Sequence, residues 1–595
     1  MFWADKLIEK LDRDQPHIIN DSKTPSGRAH VGALRGVLIH DVMFRLMKER
    51  GFEVRYTFGV DDYDPLDELP YGKDEHFRQY LGMPLCSVPP PPGSTASDMS
   101  DYYISEFFGV FDYLGVAAET YRLRDIYRAG EFDEAIDQIL RHADVVREVY
   151  HKVSGSQRPA TWYPFQVICE QCGKIGTTEV TGYDGKEVSY HCRPSLVKWA
   201  QGCGHQGKVS PFGGRGKLPW KVEWVAKWAT RGITVEGAGK DHTTKGGSRD
   251  VAEGCLRRIF NQKKAPLNIP YEFFLVEGAK MSSSRGVGVS AVEMAEFLPP
   301  EILRFLLLRS QPNRPINFSP DEQSIIKLFN DFDRSHAQFF SADGGGDTRE
   351  IYALSQVAPE GEYYAPNIQL LQALVQMPHI DVVEEIRRRK PGGSLSALER
   401  THLQRRIASI QYWLDRYASA EERLQLQPQL PAVAAQLSAT QCAFLHRLAE
   451  RLPNASWQAD ALQSTIFDAT RITPIAQPDA FQAIYLVLFG RTSGPRAGNL
   501  FEFLEPDFLS QRLTQVTYAQ AQLWQESVVE REVLEQWLQS QQGKIASMTT
   551  QLQRLPETEE GEIAAVLEFT VTLNDGKTHL RRTRPSSEGE GEGEG

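Results

Sequence analysis

Residues 17 to 60 read as a strand, a turn, a helix and a second strand, and this order constrains the fold more than any other part of the chain. His17-Ile18-Ile19-Asn20 is a short apolar-centred run that enters the turn residues Asp21 to Gly27. From Ala29 to Arg50 the residues Val31, Leu34, Leu38 and Val42, backed by Ile39, Met43 and Leu46, recur at helical spacing, and Gly51 offers a C-terminal stop. Val54 to Val60 (VRYTFGV) is β-branched and aromatic and ends at a carboxylate cluster. Two parallel strands need a crossover, so the segment predicts an α/β fold: a doubly wound parallel sheet, Rossmann-like, with its ligand at the carboxyl ends of the strands.

A chain of 595 residues exceeds what one core sustains, roughly 250 to 300 residues. The sequence predicts a catalytic α/β region over 1–310, interrupted by a Cys- and Gly-rich insertion at about 160–218, then a connector over 311–335. The α/β pattern resumes after the insertion with Gly232 to His242, a helix from about Ser248 and the strand Tyr271 to Val276. Leu, Ala, Gln and Arg at helical spacing predict an all-α domain over 336–510. Residues 511–580 form an extension with a helix and a hairpin about Asn574-Asp575-Gly576, and 581–595 an acidic disordered tail.

The first residues lack the pattern of a secretory signal, and no apolar run nears the ~20 residues that span a bilayer, so a cytoplasmic protein without membrane contact is expected. A net charge of -12 excludes indiscriminate binding of nucleic acid but leaves room for a local basic face. Cys169-x2-Cys172, Cys192 and Cys203 are four of the seven cysteines and suit a structural Zn²⁺ better than a disulfide or redox pair. His191 and His205 are candidate substitutes for one of the four.

Two stretches carry phosphate chemistry. Pro25-Ser26-Gly27-Arg28-Ala29-His30-Val31-Gly32 lies where a strand ends and a helix begins, so glycines admit a ligand, the helix start favours phosphate and His30 can donate to a phosphate oxygen. Lys280-Met281-Ser282-Ser283-Ser284-Arg285-Gly286 follows a strand and collects a lysine, three hydroxyls and an arginine. In this order and at this separation the pair resembles the HIGH and KMSKS signatures of class I aminoacyl-tRNA synthetases. Further stretches narrow the resemblance to the class I lysyl-tRNA synthetases over about residues 15 to 510: TPSGRAHVG, DDYDPLDELP, the CEQCG to GCGHQGKVSPF insertion, GKLPWKVEW, GKDH, KMSSSRG and FQAIYLVLFGRTSGPRAG. HVGA lacks the second His of the general signature, and Ser283 replaces its second Lys; the lysine family commonly tolerates both. Asp67 and Glu68 depart from the basic residues expected in relatives.

The resemblance implies activation of L-lysine by ATP with Mg²⁺, then transfer to tRNA(Lys). It assigns catalysis to His30, Lys280, Ser282 and Ser284, and ATP contacts to Pro25, Ser26, Gly27, His30, Gly32, Gly239, Asp241, Lys280, Met281, Ser283 and Arg285. A lysine pocket needs a carboxylate for the ammonium and an apolar wall for the methylenes. Asp61, Asp62 and Asp64, or Glu223 between Trp220 and Trp224, can supply these, with His242 nearby. A synthetase for glutamate or cysteine, and a catalytically silent tRNA-binding paralogue, are the competing readings. The chain is expected to act as a monomer, with its helical domain reading the anticodon; Arg471, Phe481, Tyr485, Arg491 and Arg496 are available for stacking on bases.

Overall fold

Strand β1 (His17–Lys23) pairs in parallel with β2 (Val54–Val60), His17 opposite Val54 through Lys23 opposite Val60, and β2 pairs in parallel with β3 (Glu119–Arg122). On the far side of β1, Ile19 bridges Val235 and Val235 bridges Leu267, both parallel, and β4 (Ala238–Gly239) pairs in parallel with β5 (Pro270–Tyr271). The order is therefore β3, β2, β1, then the 235–239 segment, then the 267–271 segment: the doubly wound sheet predicted from residues 17 to 60. The computed structural model describes residues 2–69, 75–276, 278–280, 288–341, 346–377, 380–419, 423–554 and 565–586, with backbone alone for Ala279 and Lys280.

The crossover from β1 to β2 is helix α1 (Ala33–Glu49), which buries Leu34, Val37, Leu38, Val42, Met43 and Leu46. It starts four residues later than its periodicity suggests because the backbone of Ala29 to Val31 is hydrogen-bonded elsewhere. Helices α2 (Met99–Leu114), α3 (Trp220–Arg231) and α4 (Ser248–Ile259) complete the layers that position the site. Gly51 ends α1 at φ 78°, and a Cβ there would meet nothing nearer than Arg13 Nη2 at 3.8 Å. Gly51→Ala therefore tests conformation alone: a loss of about 1 kcal/mol, read as a small drop in Tm, is expected.

The first compact unit comprises residues 1–365 and 396–413. It reaches past the expected boundary at 310 because buried Arg304 ties three segments together. Its guanidinium pairs with Asp41 at 2.7 Å and donates to the carbonyls of Leu114 and Leu354. The helix Asp347–Ser355, expected in the all-α domain, is thereby fixed to the catalytic core.

The second unit, residues 366–395 and 414–595, has a helical core containing Phe444, Leu448, Ile466, Ile484, Leu488 and Phe501. It also contains a four-stranded sheet ordered Val528–Val529, Thr578–Thr583, Ala565–Leu573, Ile545–Arg554. The turn at Asn574-Asp575-Gly576 joins two of these strands, with Gly576 at φ 82°. Strand Thr578–Thr583 takes in residues 581 to 583, which the sequence reading gave to the tail; residues 587–595 of that tail lie outside the described residues. Among the described residues, no helix is long and apolar enough to cross a membrane.

Candidate active site

The first phosphate loop leaves β1 at Lys23 and is held by main-chain bonds to the far end of the second. Val31 N donates to Val289 O at 3.0 Å, Ala291 N donates to Ala29 O at 2.8 Å, and His30 bridges Ser290. Ser290 in turn caps the helix Ala291–Phe297 through a reciprocal capping box with Glu293. At its near end the second loop leaves the sheet at Lys280, whose backbone pairs antiparallel with Leu275. Residues 289 to 291, beyond the second stretch, thus lie beside His30. Met281, Ser282, Ser283, Ser284 and Arg285 lie outside the described residues, as does the Lys280 side chain.

At the carboxyl ends of the strands a cleft opens in two lobes that share Asp21, Ser22, Lys23, Gly239, His242 and Tyr271. One lobe, about 300 Å³, is lined by His30, Gly32, Ala33, Asp241, Phe58 and Phe107. The other, about 460 Å³, is lined by Thr24, Ser26, Asp61, Asp64, Trp220, Glu223, Trp224, Lys227 and Glu236. The residues predicted for ATP and for lysine thus fall largely into separate lobes, with Gly239 and His242 shared; Ser26 sits with the second set. Pro25 and Gly27 are buried in the loop behind it.

Ion pairs line the second lobe. Lys227 Nζ lies 2.6 Å from Asp61 Oδ1, and Ser22 Oγ donates to Asp61 Oδ2. Lys217 pairs with Asp64 Oδ1 and stands 3.2 Å from Glu223 Oε2; Thr24 takes Asp64 Oδ2. Glu236 receives Asn20 on Oε1 and the indoles of Trp224 and Trp228 on Oε2. Tyr127 donates to Glu223 Oε2 at 2.7 Å, while Oε1 takes no hydrogen bond among the described residues.

Five carboxylates (Asp21, Asp61, Asp64, Glu223, Glu236) therefore face three ammonium groups (Lys23, Lys217, Lys227). Burial holds Glu223 and Glu236 above the usual carboxylate range, against the pull of nearby lysines. Asp64 is also desolvated, yet Lys217 and Thr24 bring it below that range.

Asp62 is a correction. It is fully buried, and both its oxygens are taken by Arg124, from the guanidinium and from the main-chain N–H. It therefore turns away from the cleft and holds the start of the helix Leu123–Arg128. Lys227, Glu236 and Tyr271 are cleft residues that the sequence reading did not assign, and so is Lys217, buried behind the lining on Asp64 and Glu223. Lys227 was findable, since it lies four residues after Glu223 on α3, in step with Trp220, Trp224 and Trp228. The indole of Trp220, 44% exposed, forms the outer wall with the His242 ring 5.2 Å away.

In the insertion the four cysteine Sγ atoms lie within 4.8 Å of one another. Cys169 and Cys203 are 3.6 Å apart, Cys172 and Cys192 3.7 Å. Four thiolates around a tetrahedral zinc at about 2.3 Å stand about 3.8 Å apart, so the spacing fits a metal site. The ten-residue gap in the second pair is closed by strands Val188–Cys192 and Gln206–Val209, which set Cys192 N against His205 O. His191 and His205 are not part of the cluster.

In the helical region Tyr485 is buried in the core with its hydroxyl bonded to Pro495 O, so its ring is not free to stack on bases, while Phe481 is half-buried against the same core.

The family described as tRNA synthetases class I (K) matches residues 1–358, more than half of the chain. A lysine–tRNA ligase of Methanosarcina barkeri (strain Fusaro) is 31% identical, covering 87% of this chain and 97% of its own length. A lysine–tRNA ligase of Thermoplasma volcanium is 30% identical over 87% of this chain and 99% of its own. Lysine–tRNA ligase 1 of Methanosarcina acetivorans is 32% identical, over 87% and 98% respectively.

Proposed function

This chain belongs to the tRNA synthetases of class I (K), and from that premise we propose that it is a lysine–tRNA ligase, activating L-lysine with ATP and passing it to the 3′ end of tRNA(Lys). The observation that carries the lysine reading is the excess of carboxylates over ammonium groups in the lobe next to His30.

In the first step an oxygen of the lysine carboxylate bonds to the α-phosphorus of ATP, and the bond from that phosphorus to the bridging oxygen of pyrophosphate breaks. In the second, a ribose hydroxyl of tRNA attacks the lysyl carbonyl, loses its proton and displaces AMP. The attacking carboxylate is already anionic, so no protein nucleophile is needed. The protein aligns the reactants and neutralises charge as it moves onto pyrophosphate. His30 and the Lys280 loop serve the phosphates, aided by the positive end of α1 at Gly32 and Ala33, while Gly239 and Asp241 face the adenosine. Mg²⁺ arrives with the nucleotide as part of the substrate.

Each oxygen of Asp61, Asp64 and Glu236 already accepts a hydrogen bond, and Asp21 accepts the Ser22 N–H on Oδ1 and faces the His40 ring with Oδ2, which leaves Glu223 Oε1 as the acceptor for the incoming ε-ammonium. Trp220 and Trp224 flank the methylenes. Glutamate would bring a further negative charge to this lobe, and cysteine would want a thiolate-seeking metal there, which the four-cysteine cluster elsewhere in the chain does not provide. The helical part of the second unit, residues 366–395 and 414–514, serves the anticodon end of tRNA. The reaction belongs to the cytoplasm, with the chain acting as a monomer.

ATP–pyrophosphate exchange across the amino acids tests the reading. Exchange with lysine is expected; exchange with glutamate or cysteine in its place would overturn the specificity, and tight tRNA binding without any exchange would support a silent paralogue.

The cysteine cluster would hold Zn²⁺ as a fixed corner of the insertion, and none of its residues lines the cleft. One zinc per chain is expected by metal analysis, falling in Cys192→Ser together with faster amide exchange over residues 166–209. Full occupancy in that variant would show the metal to be elsewhere.

A further inference from the structure

The C-terminal sheet makes a basic cleft with part of the helical region, both within the second unit. Residues along strand Thr578–Thr583 alternate faces, so His579 and Arg581 share one side with Lys577, while Leu580 and Arg582 take the other. Arg582 is spent on structure: it is buried and paired with Glu568 at 2.9 Å.

Arg581 is different. It is half-buried, donates to Leu580 O at 2.7 Å and lies 4.5 Å from the ring centre of Trp537, yet no carboxylate among the described residues pairs with it. Desolvation alone lowers its pKa, with no acid opposing the shift. Across a cleft of about 370 Å³ stands Arg471, in the last turn of the helix Ala459–Ile472; among the described residues its ion pair is with the half-exposed Asp468, and exposed Asp575 also lies within range of its charge. His579 lies between them, held below its ordinary pKa by burial and then by Arg581 and Arg471. At neutral pH it is therefore an uncharged donor and acceptor. Pro474, Ile475 and Val529 give the cleft an apolar floor.

A half-buried guanidinium without an acid partner is costly unless an anion joins it. In a chain of net charge -12, binding to a polyanion must be concentrated in such local faces. An apolar floor beside two guanidinium groups suits a nucleotide, whose base needs a non-polar surface, better than a bare inorganic anion. We propose that this cleft binds a phosphodiester and adjoining nucleoside of the tRNA substrate, with Arg581 and Arg471 on the phosphate and His579 with the apolar floor on the sugar and base. The proposal rests on the reading that tRNA is the substrate.

The test uses the full chain and a fluorescent tRNA(Lys) transcript, with anisotropy read at several salt concentrations. Arg581→Gln is expected to raise Kd about tenfold and to reduce the salt slope by about one. Arg471→Gln, on the accessible helix, should act in the same direction, and Arg581→Lys should retain part of the affinity. Lysine-dependent ATP–pyrophosphate exchange without tRNA should match the unaltered chain in all three, which also shows that they fold.

Unchanged Kd and salt slope in Arg581→Gln and Arg471→Gln would overturn the proposal. So would binding of inorganic phosphate that depends on Arg581 while tRNA binding does not. If the unaltered chain showed no lysine-dependent exchange yet Arg581→Gln still weakened tRNA, the proposed reaction would fail and the cleft would stand.

Discussion

His30→Ala is expected to lower kcat for lysine-dependent ATP–pyrophosphate exchange by about a hundred- to a thousandfold, the usual cost of removing one donor from developing transition-state charge. The loop should survive the change, because Ala29, His30 and Val31 are tied to the 289–291 segment by main-chain bonds. Gly32 and Ala33 still begin α1 and keep its positive end at the nucleotide. The loss should therefore appear in kcat and kcat/KM together, with KM for ATP little changed. Lys280→Ala should behave alike, since Lys280 opens the segment whose described far end, Val289 to Ala291, is bonded to the backbone around His30. If His30→Ala raised KM for ATP and left kcat intact, His30 would bind the ground state only, and its assignment to the chemical step would be wrong.

The sheet was legible because its strands and helix carry different periods. Val54 to Val60 came out with the predicted ends, while α1 began at Ala33, because the bonds that hold Ala29 to Val31 come from residues about 260 positions away, beyond the reach of any local pattern. The same limit explains Asp62. In sequence it is one of three equivalent acids after a strand, and only the arrival of Arg124 separates it from Asp61 and Asp64. Lys217 and Lys227 were missed for a chemical reason: an internal lysine in an acidic pocket competes on paper with a lysine substrate for the same carboxylates. The strand Ile545–Arg554 is largely exposed, so hydrophobic alternation gave little sign of it.

Glu223→Gln separates recognition from folding. If Glu223 Oε1 receives the ε-ammonium, the variant should raise KM for lysine about ten- to a hundredfold, the range expected for a lost charge-assisted hydrogen bond. Stability should move the other way or not at all. Burial raises the Glu223 carboxyl, so its folded form favours the proton; that contribution is present below the ordinary carboxylate range and is lost as pH rises through the raised value. At neutral pH a neutral amide beside Tyr127 therefore costs the fold little. Asp64 has the opposite sign: its lowered pKa gives stability that is present at neutral pH and lost only on acidification. The binding profile follows from the same shift. Lysine needs the ionised carboxylate, so kcat/KM for lysine should fall with decreasing pH at the raised value, above the range of an ordinary glutamate, and Glu223→Gln should remove that limb. An unchanged acid limb and an unchanged KM for lysine in the variant would pass the ammonium to Asp61 or Asp64, and with it the role of Lys227 or Lys217 as the cation that yields.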